Sequence, residues 1–286
     1  MKSSMESFAL SLPVLMYHHV SESNGSLNIS PECFESQMNW LARNGYVTLT
    51  ADEFARFLRG APMPDKSILL TFDDGYLDNY IHAHPCLERY GFNAVMFLVT
   101  GRIHDGPVRP VITARAARSM SHAECEQRVQ AGRSDDVTVR WSEIELMRKA
   151  GTFEFHSHTH SHRRWDILCS DSVSKRHRIA QDIEISKCIL ADRLGMVSTH
   201  LCWPEGYYDD DYIAAARVAG FEYLYTTRNT RRNHPGSDPY EIHRMADNGK
   251  SAEWLARKVR RYQHPQWGAA YYWFKRLREF RKGVRL

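Results

Sequence analysis

The chain has 286 residues, 43% of them apolar and 25% charged. That is the composition of a globular protein long enough for one large α/β domain or two small ones. Thirty-eight Lys and Arg against 34 Asp and Glu leave a net charge of +4, too mild a balance to indicate nucleic acid as a partner. Six scattered cysteines without a CxxC pair read as reduced thiols. No signal peptide is visible in MKSSMESFALSLPVLMYHHV, and no run approaches roughly 20 apolar residues, so the expected location is cytoplasmic.

In chain order, a first strand is predicted at 14–17 and ends in His18 and His19. Helical patterns follow at 31–44 and 52–58. A second strand at 68–72 runs into Asp73 and Asp74 of TFDDG, and a helix at 78–90 leads to a third strand at 94–99. Residues 102–139 then break the rhythm. They are polar, contain Gly106, Pro107, Pro110 and Gly132, and read as a long insertion or lid. A helix at 141–150 precedes a strand at 153–155, which opens the stretch FEFHSHTHSH. In the long helix predicted at 171–194, Ile179, Ile183, Leu190 and Leu194 share one face. A strand at 200–203 ends in CWPEG, a helix follows at 209–219, then strands at 223–226 and 242–245 and a helix at 252–262. Gly45, Gly91, Gly151, Gly195 and Gly220 stand where left-handed helix caps are expected.

Seven βα alternations imply a parallel sheet, and seven units suit a closed barrel better than an open one. In such a barrel the chemistry belongs at the C-terminal ends of the strands. Four of these ends carry polar or turn residues: HH, DDG, the histidine cluster and WPEG.

The cluster places histidines at 156, 158, 160 and 162, in a chain with fifteen histidines altogether. A catalytic metal site takes three protein ligands and leaves a position open. Residues two apart on a strand, or four apart on a helical turn, face the same way. Three pairs are therefore geometrically plausible: His156/His158, His156/His160 and His158/His162. TFDDG offers adjacent carboxylates for a third ligand.

These residues resemble the polysaccharide deacetylases with a NodB-homology domain, carbohydrate esterase family 4. The first family motif, TFDDG, is matched by Thr71 to Gly75; the second is matched by EFHSHTHSH from Glu154. The likeness covers about 12–244 and implies an irregular parallel (β/α)7 barrel spanning 1–250, with the insertion at 102–139. It implies Asp73 as general base, and a divalent ion, zinc or else cobalt or nickel, on Asp74, His158 and His162. His156 stands where the family has glycine, and His160 at a variable position. The third motif, usually R-x-P-x-G, reads CWPEG. Cys202 replaces the arginine that orients the base, while a branch of the family with [YW]-P-x-G resembles this chain better. The resemblance implies that the Glu205 N–H faces the oxyanion and that Trp203, Pro204 and Tyr207 contact substrate. The acid role falls on His18, with His19 second, because the branch with an N-terminal MYH segment has its motifs permuted.

The implied reaction is metal-dependent hydrolysis of an N-acetyl or O-acetyl group on a sugar in a glycan or glycan precursor. Other readings are a catalytically idle carbohydrate-binding relative, or an amidohydrolase acting on a small nucleotide sugar. With a cytoplasmic location, a sugar donor or lipid-linked oligosaccharide is the expected substrate. The last stretch, 251–286, is expected as a separate basic, aromatic helical segment. Residues 271–286, YYWFKRLREFRKGVRL, hold six Lys/Arg, one Glu and five aromatics. This is the pattern of a helix on an anionic membrane face, here the inner one, and equally that of a barrel-closing helix with a basic outer side.

Overall fold

Among the described residues, short runs of β-branched and large apolar residues form ten strands: β1 (Val14–Tyr17), β2 (His19–Val20), β3 (Asn28–Ile29), β4 (Val47–Thr48), β5 (Ser67–Phe72), β6 (Ala94–Leu98), β7 (Phe153–Ser157), β8 (His200–Cys202), β9 (Tyr223–Tyr225) and β10 (Met245–Ala246). The structure is a computed structural model and describes residues 8–111, 120–247 and 249–281. The strands pair in parallel in the order β10-β1-β5-β6-β7-β8-β9, with β4 against the start of β5. Ile242 pairs with Tyr225 of β9, and Met245, three residues on, pairs with Leu15 of β1. One segment thus touches both ends of the sheet and closes it into a seven-stranded barrel, as the sequence pattern predicts.

Both faces of these strands are buried, as parallel strands between a lumen and a helical layer must be. Side chains alternate between the two. Val14, Leu69, Val95, Phe97, Cys202 and Tyr225 form one apolar cluster in the lumen. Ile68, Leu70, Phe72, Met96 and Leu98 belong to the cluster that packs outward against helix residues such as Phe34, Leu87 and Ile144. This alternation sends Asp73 inward as β5 ends.

The helices fall within one or two residues of their predicted positions: Pro31–Arg43, Ala51–Leu58, His84–Tyr90 after a π-turn at Asn79–Ala83, Trp141–Lys149, Ser172–Leu194, Asp210–Val218 and Ala252–Gln263. The five predicted cap glycines all have positive φ, and Gly91 and Gly195 are left-handed C-caps. In the last of these helices Leu255, Val259 and Tyr262 enter the same core cluster as β1, β5 and β6. A further helix, Pro265–Arg281, follows it.

The insertion contains an unpredicted helix, His122–Gln130, which has a full capping box between Ser121 and Glu124. Only Cys125 of this helix is buried, so it carries little apolar periodicity. The insertion is fastened to the DDG loop by backbone bonds from Leu77 to Val137 (2.9 Å) and from Val139 to Gly75 (3.0 Å). Arg109 clamps the wholly buried Glu143 with bonds of 2.7 and 2.6 Å. Among the described residues no helix is long and apolar enough to cross a membrane.

The turn at Pro204–Gly206 depends on its glycine. Gly206 has φ 70°, and a Cβ there would lie 2.7 Å from the Thr227 Cβ. Gly206→Ala is expected to destabilise the fold by about 2 kcal/mol and to lower Tm by about 4 °C. Thermal unfolding checks this, and an unchanged Tm would contradict the close approach.

Candidate active site

Asp73 and Asp74 follow β5 directly and are both buried. Asp73 continues the inward register. Arg244, carried in from the closing segment, grips it with Nη1 at 2.7 Å from Oδ1 and Nη2 at 2.8 Å from Oδ2. Arg244 is itself buried, donating also to Thr71 Oγ1 (3.2 Å) and lying 3.0 Å from Cys202 Sγ. This answers the Cys202 substitution. Where the resembled motif has an arginine this chain has the smaller thiol, and a guanidinium reaches Asp73 from the segment just before β10 instead. Sequence reasoning missed Arg244, although it is the one charged residue in the predicted strand 242–245. Burial alone would raise the Asp73 carboxyl, but the guanidinium outweighs it and the net shift is downward.

Asp74 turns out of the strand register with φ 73°. Its Oδ1 lies 3.6 Å from His158 Nε2 and 3.2 Å from His162 Nε2. That oxygen is buried and has no hydrogen-bond partner among the described residues, so the site holds an acceptor that needs a cation. His158 donates Nδ1–H to the Cys202 carbonyl (2.8 Å), which leaves Nε2 as a bare lone pair. Burial pushes His158 down to about 4, so it is neutral at ordinary pH. Burial also acts downward on His162, but the Asp74 carboxylate outweighs it and the net shift is upward. One carboxylate and two imidazoles converging on a single point fit a divalent ion. A second set, Asp73, His158 and Cys202, also converges. It is the poorer cage: Arg244 occupies both Asp73 oxygens, and burial raises the Cys202 thiol far above its ordinary range.

The histidine loop is held from both sides. Thr100 and Gly101 donate backbone N–H groups to Thr159 (3.2 Å) and His160 (2.9 Å). Gly101 allows this approach, because a Cβ would sit 2.6 Å from the His160 carbonyl oxygen. On the other flank Asp182 accepts from Ser161 N–H (2.9 Å) and Oγ (3.0 Å) and from the Trp165 indole (3.2 Å). Neither Gly101 nor Asp182 carries a sequence signal beyond its proximity in the fold.

The remaining candidates separate clearly. His18 points into the site, its Nε2 3.8 Å from Asp73 Oδ2 and its side chain 15% exposed; burial lowers its pKa, while the two aspartates act in the opposite direction. His19 has both nitrogens engaged, with Asp78 (2.6 Å) and His122 (3.2 Å), and is wholly buried, so it is not available as an acid. His156 lies deeper in the lumen beside Phe97 and His200, bonded to Ser198 (2.7 Å). His160 lies at the rim on Thr100 (3.1 Å). Glu205 adopts φ 55° in its turn. Trp203, expected at the substrate surface, is 0% exposed and packs with Ile179, Tyr212 and Leu224. Its ring follows the strand alternation outward into the core. Pro204 is also buried. Tyr207 is half-buried under the Arg164 guanidinium, 4.1 Å away.

A parallel barrel with a buried, arginine-clamped carboxylate, a converging carboxylate–imidazole set and a histidine at the mouth fits a hydrolase of the deacetylase class. The polysaccharide deacetylase family model matches residues 60–224. The chain belongs to that family. It is 27% identical over 235 residues to the Bacillus subtilis (strain 168) protein named as polysaccharide deacetylase YxkH, covering 82% of this chain and 70% of that one. It is 24% identical over 233 residues to the poly-β-1,6-N-acetyl-D-glucosamine N-deacetylase of Staphylococcus aureus (strain MRSA252), covering 81% and 71%. In fold it is similar to the Streptococcus pyogenes deacetylase PplD in complex with acetate (TM-score 0.69, 21% identity, 88% of this chain and 99% of that one). It is likewise similar to IcaB from Ammonifex degensii (TM-score 0.66, 23% identity, 87% and 97%).

His158→Ala is expected to abolish stoichiometric uptake of a divalent ion, while His156→Ala retains it with the fold intact. Elemental analysis of the purified variants reads this, and equal loss in both would refute the assignment of the ligand pair.

Proposed function

We propose that this protein is a metal-dependent deacetylase that hydrolyses the N-acetyl group of an amino sugar within a glycan. One arrangement supports this reading: Asp73, clamped by Arg244, stands beside the Asp74–His158–His162 set. A protein that only bound sugar would have no need of an ionised, oriented carboxylate next to a metal cage. The name of the Staphylococcus aureus relative, an N-deacetylase of poly-β-1,6-N-acetyl-D-glucosamine, favours a polymeric N-acetyl sugar.

Asp74, His158 and His162 would hold zinc, cobalt or nickel. When bound, the ion supplies Lewis-acid polarisation of the acyl oxygen and lowers the pKa of water. Asp73 takes the proton of the attacking water through a lone pair that Arg244 leaves free. Arg244 keeps the carboxylate ionised and fixes its direction. The Glu205 N–H, presented by its left-handed turn, faces the oxyanion; one such donor contributes about 3 kcal/mol. The C–N bond breaks, His18 Nε2 delivers a proton to the leaving nitrogen, and acetate and a free amine result. Tyr207 borders the sugar, while Trp203 and Pro204 support the turn from beneath. Among Asp73, Asp74, His18, His158 and His162, the two partly exposed side chains are His18 and His162, so the acetyl group enters between them.

Mass spectrometry of acetate release from a panel of nucleotide-linked, lipid-linked and oligomeric N-acetyl sugars tests the proposal; release from none of them would contradict it. Asp73→Asn is expected to keep metal and fold but to lose about 100-fold or more in kcat, and turnover within a few-fold of the parent would remove Asp73 from the base role.

Arg244 yields a separate test. The Asp73 value is depressed in the folded protein, so the base stays ionised until the pH falls through that value. With Arg244→Gln the carboxyl moves up, and the acid limb of kcat/KM against pH is expected to shift to higher pH, with a loss of about 100-fold at neutral pH. An unmoved acid limb would mean that Arg244 only packs.

A further inference from the structure

We propose that the helix Pro265–Arg281 is a docking surface for an anionic lipid bilayer. One side of this helix is fixed to the barrel. Gly268 lies so close to the preceding helix that a Cβ would meet the Arg261 carbonyl oxygen at 2.5 Å. Tyr272 is buried, edge-on to Tyr262 at 5.2 Å and bonded to Asn229 (3.2 Å).

The opposite side carries large apolar groups in solvent. Trp267 is 72% exposed, Trp273 58%, Phe274 60% and Leu277 40%. At about 100° per residue, Trp267, Phe274 and Leu277 fall on one stripe with Trp273 at its border. The exposed Arg276 and Arg278 lie along its two edges. An apolar stripe of tryptophan and phenylalanine between arginines is the design of a helix lying in a membrane interface, its rings at headgroup depth and its cations among the phosphates.

Two observations decide for a bilayer over other occupants. Beside the stripe a cavity of about 420 Å³ opens between this helix and residues 230–243, bordered by Arg231, Arg232, His234, Trp273 and Arg276. Asp238 and Glu241 also border it, Glu241 being paired with Arg228 and Arg231. Its size and arginine lining suit an anionic headgroup. Arg276 and Arg278 border the stripe on its two sides, so a second copy laid stripe to stripe would bring like charges together along both edges. The helix is not apolar enough to span a bilayer and would lie on it.

Flotation with vesicles of phosphatidylglycerol and phosphatidylcholine, compared with pure phosphatidylcholine, at about 50 mM and about 500 mM salt reads the proposal independently of catalysis. Flotation is expected with the anionic vesicles at low salt, at least about 10-fold weaker at high salt. Trp267→Ala/Trp273→Ala/Phe274→Ala and Arg276→Glu/Arg278→Glu are each expected to lose it, with Tm and circular dichroism unchanged because these groups face solvent. No flotation at low salt, equal binding to pure phosphatidylcholine, or undiminished binding by the triple alanine variant would overturn the proposal. So would a dimer in gel filtration without vesicles that the triple variant dissolves, since the stripe would then belong to a second copy.

Discussion

The buried pair between Arg244 and Asp73 is the constraint around which the site is organised. Two adjacent carboxylates, Asp73 and Asp74, lie in the mouth of an apolar barrel, each almost wholly removed from water. Burying one unpaired charge costs several kcal/mol, and two neighbouring like charges cost more. The fold divides the problem. Asp73 receives the guanidinium, and Asp74 receives the two imidazoles. Arg244 reaches Asp73 only because the segment from Ile242 to Ala246 bonds to β9 on one side and β1 on the other. Closing the barrel and pairing the Asp73 carboxylate are therefore one structural event, and a barrel open at that seam would strand a carboxylate in its core.

Local backbone geometry points to the same place. The non-glycine residues with left-handed φ among those described are Asp74, Thr159, His162 and Glu205. Each lies in a loop at the C-terminal end of β5, β7 or β8. Such conformations cost about 1 kcal/mol or more each and persist where surrounding contacts over-determine them. Here those contacts are visible. The Thr159 N–H donates to Ser157 Oγ (3.1 Å), and the His162 N–H to Thr159 Oγ1 (3.1 Å). The strain serves to turn Asp74 away from Asp73, and His162 back over His158.

How much of this was legible in the sequence depends on the range of the interaction. Most strands, helices and caps follow from local periodicity and glycine placement and agree with the structure to within a residue or two; the last strand, predicted at 242–245, lies at Met245–Ala246, and the two-residue strands β2, β3 and β4 and the helix Trp165–Leu168 are too short to leave a periodic signal. TFDDG and HSHTHSH are contiguous, so the candidates are in view; spacing leaves three histidine pairs open, and the family resemblance points to Asp74, His158 and His162, which converge in the structure. Arg244 is another matter: it meets Asp73 from 171 positions away, and no local pattern distinguishes it from a surface arginine. Trp203 shows the opposite failure. An aromatic beside a functional turn suggests a sugar platform, but a three-residue strand with strict alternation puts its ring in the core. The helix His122–Gln130 escaped notice because it is fastened by polar contacts and buries only Cys125, although its Ser121–Glu124 capping box lies plainly in the sequence.

Alternation also explains why polar residues come in adjacent pairs at these strand ends. Successive side chains leaving a strand point apart, so a dipeptide serves two surroundings. His18 turns to Asp73, while His19 turns to Asp78 and His122 and stacks on Tyr76 at 3.8 Å. Tyr76 in turn donates to Glu126, which Arg102 grips at 2.7 and 3.2 Å. His122 and Glu126 are four apart on the insertion helix and so share one face. One histidine of the pair thus faces the Asp73 carboxylate, and the other fastens the insertion to the barrel. Arg244 and His243 divide in the same way, the first into the lumen and the second outward, bonded to the Thr230 N–H at 3.4 Å. The barrel wall carries chemistry on its inner side and the attachment of its accessory elements on its outer side, and adjacent residues in the chain supply both.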